Sequence, residues 1–515
     1  MKKKYVINRE GKNEEEKILL YEYILLGIVA ILYILIFSTT TSPLFGEPFS
    51  SDSSMFQTIG KYWAQGSLPY TDLWDSKGPV IFFINALGYF IAGSKTGIFF
   101  IQIISLFVSE IFLDKLYNKV FSKKYSLGLT ILTLFIMLLD YDGNSTEEYL
   151  LPLILISFYF IVNWNDNYCA ENIIDHKPGY AYFYGITFSF CLLTRLTNAV
   201  GLCAAVLVIV IALTVKRKWK NLLKNALMFI LGVSTLLIPF IVYFLYNGIL
   251  YEALYGTLLY NFDYMSNSTM LYSLSSFIAV AKIIIGYSYG IMLLLLGAFE
   301  IIIWKKRRIA GCIWLVVGMI TTIWLFRSNG YLHYGLIAIP YIPVILIEIK
   351  QILSDKTASK LKTSVIKAIT IIYLVICMIG GLFRVKDILG EWYNTLFIGE
   401  SETYKQVEID LLSEVPTDEL DSFIAYNTNP GIYLQLDIKP HYRFFTMQDW
   451  AASRSESLKE MLLETFSTGD AKWILVEGNP EDTLINDILD DRYVCVSERE
   501  KPFVNSMYYL FQLQE

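Results

Sequence analysis

Apolar windows dominate this chain. Runs near residues 18–37, 97–116, 127–140, 148–163, 181–194, 199–215, 226–246, 287–303, 309–326, 333–349 and 364–383 approach the length of bilayer-crossing helices, about 20 apolar residues each. With 55% hydrophobic and only 17% charged residues over 515 positions, there is too little polar surface to clothe a water-soluble globule of this size. The expected fold class is therefore an α-helical polytopic membrane protein with about 11 transmembrane helices. The basic, polar lead MKKKYVINREGKNEEEK precedes the first window, which lacks a small-residue cleavage pattern and is read as a retained span.

Charge orders these windows across the bilayer, because short cytoplasmic loops accumulate Lys and Arg. Beginning with Lys2, Lys3 and Lys4, basic clusters recur at Lys119, Lys123 and Lys124, at Lys216, Arg217, Lys218, Lys220 and Lys224, at Lys305, Lys306, Arg307 and Arg308, and at Lys350, Lys356, Lys360 and Lys362. The loop at 164–180 is the exception, with Lys177 alone. Counting the run Pro79–Gly93 as a span reverses this alternation, whereas an interfacial or re-entrant helix preserves it. The expected topology has a cytoplasmic N-terminus and a long first external loop, 38–96, with helical pieces at Ser53–Gln65 and Pro79–Phe90.

From Arg384 onward the chain carries 11 basic and 25 acidic residues, against 31 basic and 23 acidic before it. The expected division is a membrane domain, 1–383, and an acidic extracytoplasmic α/β domain, 384–515. In the latter SFIAYN, YRFF, KWILVE, YVCVS and MYYLFQL read as strands, and SRSESLKEMLLETF and EDTLINDIL as helices. No phosphate-cradling glycine motif is present there. The six cysteines show no paired spacing that suggests zinc or a disulfide framework.

The expected external side collects polar residues: Asp52, Asp72, Asp75 and Lys77; Asp142, Asn144, Glu147 and Glu148; Arg195 and Asn198; Asp263 and Tyr264; Arg327, His333 and Tyr334. Carboxylates, cations and a histidine on one face suit chemistry on an anionic, lipid-borne substrate.

The segments SDSSMF, GSLPYTDLWDSKGP, NSTEEYLLP, LLTRLTN and GYLHYGLIAIPYIP, in this order and on one side, resemble the GT-C membrane glycosyltransferases. Within that class the chain is similar to bacterial relatives of protein O-mannosyltransferases and lipid A aminoarabinose transferases, glycosyltransferase family 39 in the broad sense. The resemblance covers about residues 15–383. It implies transfer of a sugar from a polyprenyl-phosphate donor to an extracytoplasmic glycan, lipid or protein acceptor, among membrane lipids and with no nucleic acid partner. It implies no cofactor; a divalent cation is compatible but not indicated. The resemblance places the base at Asp52, although Ser53 stands where some relatives carry a second acid. Asp72, Asp75, Glu147, Glu148, Asp263 and Tyr264 are the candidates for acceptor or substrate binding, and Lys77, Arg195, Arg327, His333 and Tyr334 for the lipid phosphate.

Each candidate also has a structural reading. Asp52 or Ser51 suits a helix N-cap, Asp72 and Asp75 suit turns, and Lys77 suits snorkelling at the interface. Glu147 and Glu148 suit a wet loop, and His333 an interfacial position. The alternative functions are a polysaccharide polymerase or a transporter of lipid-linked glycans; the latter calls for internal repeats, and none is evident.

Overall fold

The structure, a computed structural model, describes residues 9–46, 50–141, 143–267, 277–303, 307–327, 331–354, 360–393, 404–501 and 506–514. The membrane part runs α1 (Arg9–Phe37), α2 (Ser51–Ala64), α3 (Pro79–Ala92), α4 (Lys95–Tyr117), α5 (Lys123–Met137), α6 (Thr146–Glu171), α7 (Pro178–Leu192), α8 (Val200–Val215) and α9 (Trp219–Tyr246). It continues through α10 (Leu250–Leu254), a π turn (Tyr255–Leu259), α11 (Tyr260–Asn267), α12 (Phe277–Ile303), α13 (Arg308–Arg327), α14 (Tyr341–Ser354) and α15 (Lys360–Tyr393). Short 3-10 helices at Leu196–Ala199 and Leu332–Ala338 lead into α8 and α14.

Each of the eleven apolar windows falls on helix. Among the described residues, six helices have the length and composition to cross a bilayer unaided, and a seventh arises if the 3-10 segment and α14, bent by 43°, count as one span. Of the four remaining windows, two lie on α12 and α15, helices of 27 and 34 residues, and two on shorter helices. Helices α5 and α7 have 15 residues each, about 23 Å at 1.5 Å per residue, short of a 30 Å hydrocarbon core.

The helices end where sequence chemistry ends them. Helix α2 is capped by Ser50, whose hydroxyl accepts from Ser53 N–H, so neither Ser51 nor Asp52 is the cap. Pro79 opens α3 and Gly93, at φ 65°, closes it. Helix α6 is capped by Ser145, which accepts from Glu148 N–H. Exposed apolar side chains on α1 (Ile24, Ile28, Ile31) and α9 (Leu227, Ile230, Ile238, Val242) form continuous faces suited to lipid. The end of the bundle bearing the basic clusters is tied by Lys119 to Asp166 (3.0 Å), by Arg307 to Asp166 (3.8 Å) and by Arg307 to Glu348.

Beyond the membrane part lie α16 (Tyr404–Leu412), β1 (Phe423–Tyr426), α17 (Gly431–Gln435), α18 (Gln448–Ala452), α19 (Glu456–Thr468), β2 (Trp473–Glu477), α20 (Asn486–Arg492), β3 (Tyr493–Glu500) and β4 (Met507–Leu513). The sheet order is β1-β2-β4-β3, with β1 parallel to β2 and β4 antiparallel to both neighbours. Helices α17, α18 and α19 make the crossover that a parallel pair requires. The expected strand YRFF does not form. Instead its side chains serve packing: the Tyr442 hydroxyl accepts from Ala471 N–H (2.7 Å), and Phe444 and Phe445 are buried in the core. Helix α15 runs without a break past the change of charge at Arg384.

Glu408 on α16 is buried, with Oε1 accepting from Tyr508 (2.6 Å), and burial pushes its carboxyl up to about 8. The folded state therefore retains a proton that the unfolded chain releases near the ordinary value of 4.5. Stability from this group is full below that value and declines as pH rises towards 8, by at most about 1.4 kcal/mol per pH unit. Denaturant melts of wild type and Glu408→Gln between pH 4.5 and 8 are expected to show this decline in wild type and a flatter profile in the variant.

Candidate functional site

Helix connectivity brings the candidates to one end of the bundle. Helix α6 starts there and α7 returns to it, α1 ends there, and the 3-10 segment before α14 arrives there. Asp52 sits in the first turn of α2, Asp75 and Lys77 in the connection to α3, and Glu147 in the first turn of α6. Arg195 follows α7, and His333 and Tyr334 lie in the 3-10 segment before α14.

The connection to α3 is fixed through backbone. Gly78 N–H donates to the Thr194 carbonyl (2.9 Å) and Val80 N–H to the Leu193 carbonyl (3.0 Å). A Cβ on Gly78 would stand 2.2 Å from the Leu193 carbonyl oxygen, so a side chain there is incompatible with the approach. This contact sets Lys77 beside Arg195, two cations from segments more than a hundred residues apart in sequence.

Lys77 is ringed by charge. Burial opposes its ammonium, but Asp52 and then Asp75 outweigh burial and hold it protonated, above its ordinary range; Tyr334 and Arg195 are its other electrostatic neighbours. Asp75 is buried, and burial pushes its carboxyl up, against the opposing pull of Lys77. Its Oδ1 accepts from Lys77 N–H (2.9 Å), the geometry of an Asx turn. The carboxylate of Asp52 makes no hydrogen bond or ion pair among the described residues.

Arg195 is held from two sides. Its Nη1 donates to Glu147 Oε1 (3.3 Å), and its guanidinium carbon lies 3.5 Å from the centre of the Tyr334 ring and 5.6 Å from that of Trp324. Glu147 also accepts from Asn198 Nδ2 (2.9 Å) and from Thr146 Oγ1 (2.8 Å). His333 packs edge-on to Tyr334 (4.6 Å) and lies within electrostatic range of Glu147. The structure thus unites Asp52, Asp75, Lys77, Glu147, Arg195, His333 and Tyr334.

The other candidates lie apart from this cluster or outside the described residues. Both oxygens of Glu148 are engaged, by Gln102 Nε2 (3.1 and 3.0 Å), Tyr141 hydroxyl (3.0 Å) and Asn144 N–H (2.7 Å), so it braces α4 against α6. Successive helical residues point about 100° apart, which separates Glu147 from Glu148. Asp72 accepts from Leu68 N–H (3.0 Å) and faces Lys439 (3.8 Å); Asp263 accepts from Ser455 (3.1 Å). Both therefore contact the C-terminal unit. The side chains of Tyr264 and Arg327, and all of Asp142, lie outside the described residues.

Sequence reasoning did not single out Asn198 as Glu147's partner, nor Trp324 beside Arg195. Their signal is proximity to LLTR and RSNGYLHYG, which alone does not specify a contact. Among the described residues no group of three His, Cys, Asp or Glu is arranged to hold a metal ion.

The profile described as "Putative competence-induced protein Ccs4 N-terminal domain" matches residues 11–379. The chain belongs to the competence-induced Ccs4 family. No curated protein matches it at a significant level. Among solved structures, the Ccs4-family chain is similar to ArnT, the lipid A aminoarabinose transferase, from Cupriavidus metallidurans. In the form bound to undecaprenyl phosphate the identity is 11% and the TM-score 0.55, over 96% of this chain and 98% of that one. In the apo form the identity is 10% and the TM-score 0.54, with the same coverage. The Ccs4-family chain therefore has a GT-C fold, with a small C-terminal sheet.

The Arg195–Glu147 pair lends itself to a double-mutant cycle in purified protein, with Arg195→Gln and Glu147→Gln scored by thermal unfolding. A coupling of about 1 kcal/mol or more is expected for groups in direct contact; additive effects would contradict the pairing.

Proposed function

We propose that this protein is a membrane glycosyltransferase that moves a sugar from a polyprenyl-phosphate-linked donor to an extracytoplasmic acceptor. The observation that carries this reading is the set of a carboxylate without a hydrogen bond among the described residues, Asp52, and two partly buried cations, Lys77 and Arg195, gathered at one end of a GT-C bundle. The undecaprenyl phosphate held by ArnT supports the donor class. The basic clusters at the other end of the bundle support a cytoplasmic N-terminus and an external site and C-terminal unit.

On this reading the acceptor hydroxyl gives its proton to Asp52 as its oxygen forms a bond to the anomeric carbon of the donor sugar. The bond from that carbon to the phosphate oxygen breaks, and its electron pair leaves with polyprenyl phosphate. The charge that develops on the leaving oxygen is met by Lys77 and by Arg195. A guanidinium grips two oxygens at once, whereas an ammonium acts as a point charge. Glu147, Asn198 and Tyr334 orient the guanidinium. Asp75 shapes the turn that presents Lys77, so its first duty is to that lysine; a direct contact with acceptor is a second role of the same carboxyl. No resident cofactor takes part in this scheme. Asp72 and Asp263 join the membrane part to the C-terminal unit.

The test is incubation of purified protein with a panel of polyprenyl-phosphate sugars and measurement of polyprenyl phosphate release. Wild type is expected to release it with one of them. Asp52→Asn is expected to lower turnover about 100- to 10,000-fold, the usual contribution of a general base, with the donor still bound. Near-normal turnover in that variant overturns the role of Asp52, and no release with any donor of the panel overturns the reaction class.

A further inference from the structure

The two peptide groups that flank Lys77 have all four of their polar atoms paired. Its own N–H is taken by Asp75, and that of Gly78 by Thr194. The two consecutive carbonyls, of Ser76 and Lys77, are both tied to the π turn between α10 and α11. Tyr70 hydroxyl donates to the Lys77 carbonyl (2.8 Å), which leaves Thr257 Oγ1, 3.1 Å away, as the donor to Tyr70. Asn261 Nδ2 donates to the Ser76 carbonyl (2.8 Å) and shares its other hydrogen between the Thr257 (3.0 Å) and Gly256 (3.3 Å) carbonyls.

A π turn inserts one residue into a helix and loosens its regular carbonyl pairing, and such turns concentrate at functional positions. This one is built around contact with the Lys77 segment. A Cβ on Gly256 would lie 2.6 Å from the Tyr70 ring and 3.1 Å from the Asp75 carbonyl oxygen, so only glycine permits the approach. The extra residue also sets the rotation at which Asn261 faces both the turn's own carbonyls and that of Ser76. The C-terminal unit secures the same assembly: Tyr260 hydroxyl donates to the Ala451 carbonyl (3.0 Å), the Tyr260 ring packs edge-on against Trp74 (5.1 Å), and Trp74 N–H donates to the Arg443 carbonyl (2.9 Å).

We propose that Asn261 is a positioning residue for Lys77, the side chain through which the π turn fixes where the ammonium stands. The proposal rests on the reading that Lys77 receives the donor phosphate. Asn261 touches no reacting group and acts through the Ser76–Lys77 peptide. Since the amide is the only part of Asn261 that reaches Ser76, replacing it with a carboxylate of equal size turns a donor to carbonyls into a repelling acceptor.

The experiment measures binding of undecaprenyl phosphate to the full-length protein in detergent for wild type, Lys77→Ala, Asn261→Asp, Asn261→Ser and Lys77→Ala combined with Asn261→Ser. The expected result is that wild type binds, Lys77→Ala binds weakly, and each Asn261 variant that retains a cooperative thermal transition loses about 10-fold or more in affinity, as small misplacements of a binding group do. Asn261→Ser keeps the test decisive if Asn261→Asp fails to fold. In the Lys77→Ala background the serine substitution is expected to cost nothing further, a non-additivity that a merely structural role does not produce. Equal binding by wild type and Lys77→Ala overturns the phosphate role of Lys77 and the proposal with it. Weak binding by Lys77→Ala with wild-type affinity in Asn261→Ser, or the same loss in both backgrounds, overturns the role of Asn261 alone.

Discussion

Two helix ends satisfy each other at the centre of this structure. The first N–H groups of a helix and its last carbonyls have no partner inside it. Here the Gly78 and Val80 N–H groups at the start of α3 are met by the Thr194 and Leu193 carbonyls at the end of α7. Burying either set without the other would leave unpaired polar groups at a cost of about 1–3 kcal/mol each. The pairing depends on the missing side chain of Gly78, and it is what places Lys77 and Arg195 side by side. Once two cations are held together away from water, the surrounding carboxylates follow as an electrostatic requirement. Asp52 and Asp75 answer Lys77, and Glu147 answers Arg195.

The neighbouring acids Glu147 and Glu148 show how one helical turn divides duties. Glu147 faces Arg195 and Asn198, while Glu148 is consumed by Gln102, Tyr141 and the Asn144 backbone. Asn144, at φ 53°, in turn reaches Ser53 (2.9 Å) and Asn85 (3.0 Å), next to Asp52 and within α3. The polar network beneath the site therefore links α2, α3, α4 and α6 and limits the freedom of the first turn of α2, where Asp52 stands without a hydrogen-bond partner among the described residues.

Much of this was legible from residue order. Apolar windows announce helices because a lipid-facing or buried helix has no other composition available to it, and all eleven fell on helix. Asp52, Lys77, Glu147, Arg195, His333 and Tyr334 stood out as polar residues at the ends of apolar runs, all on one side. What did not show was any feature that depends on a neighbour distant in sequence. YRFF has strand composition, but its aromatics serve as core and its backbone goes unpaired to a strand. The paired acids look alike until a helix separates them by about 100°. The π turn YGTLL has no composition that distinguishes it from an ordinary helical turn, and the importance of Asn261 follows only from the carbonyl of Ser76 lying 2.8 Å away.

The central claim is that Lys77 and Arg195 together form the seat of a lipid phosphate. Its most direct test is a cryo-electron microscopy structure of the protein with undecaprenyl phosphate. The account predicts phosphate density within about 4 Å of both the Lys77 ammonium and the Arg195 guanidinium, with the Asp52 carboxylate facing the same space. Phosphate density resolved elsewhere, with none beside Lys77 and Arg195, would contradict it.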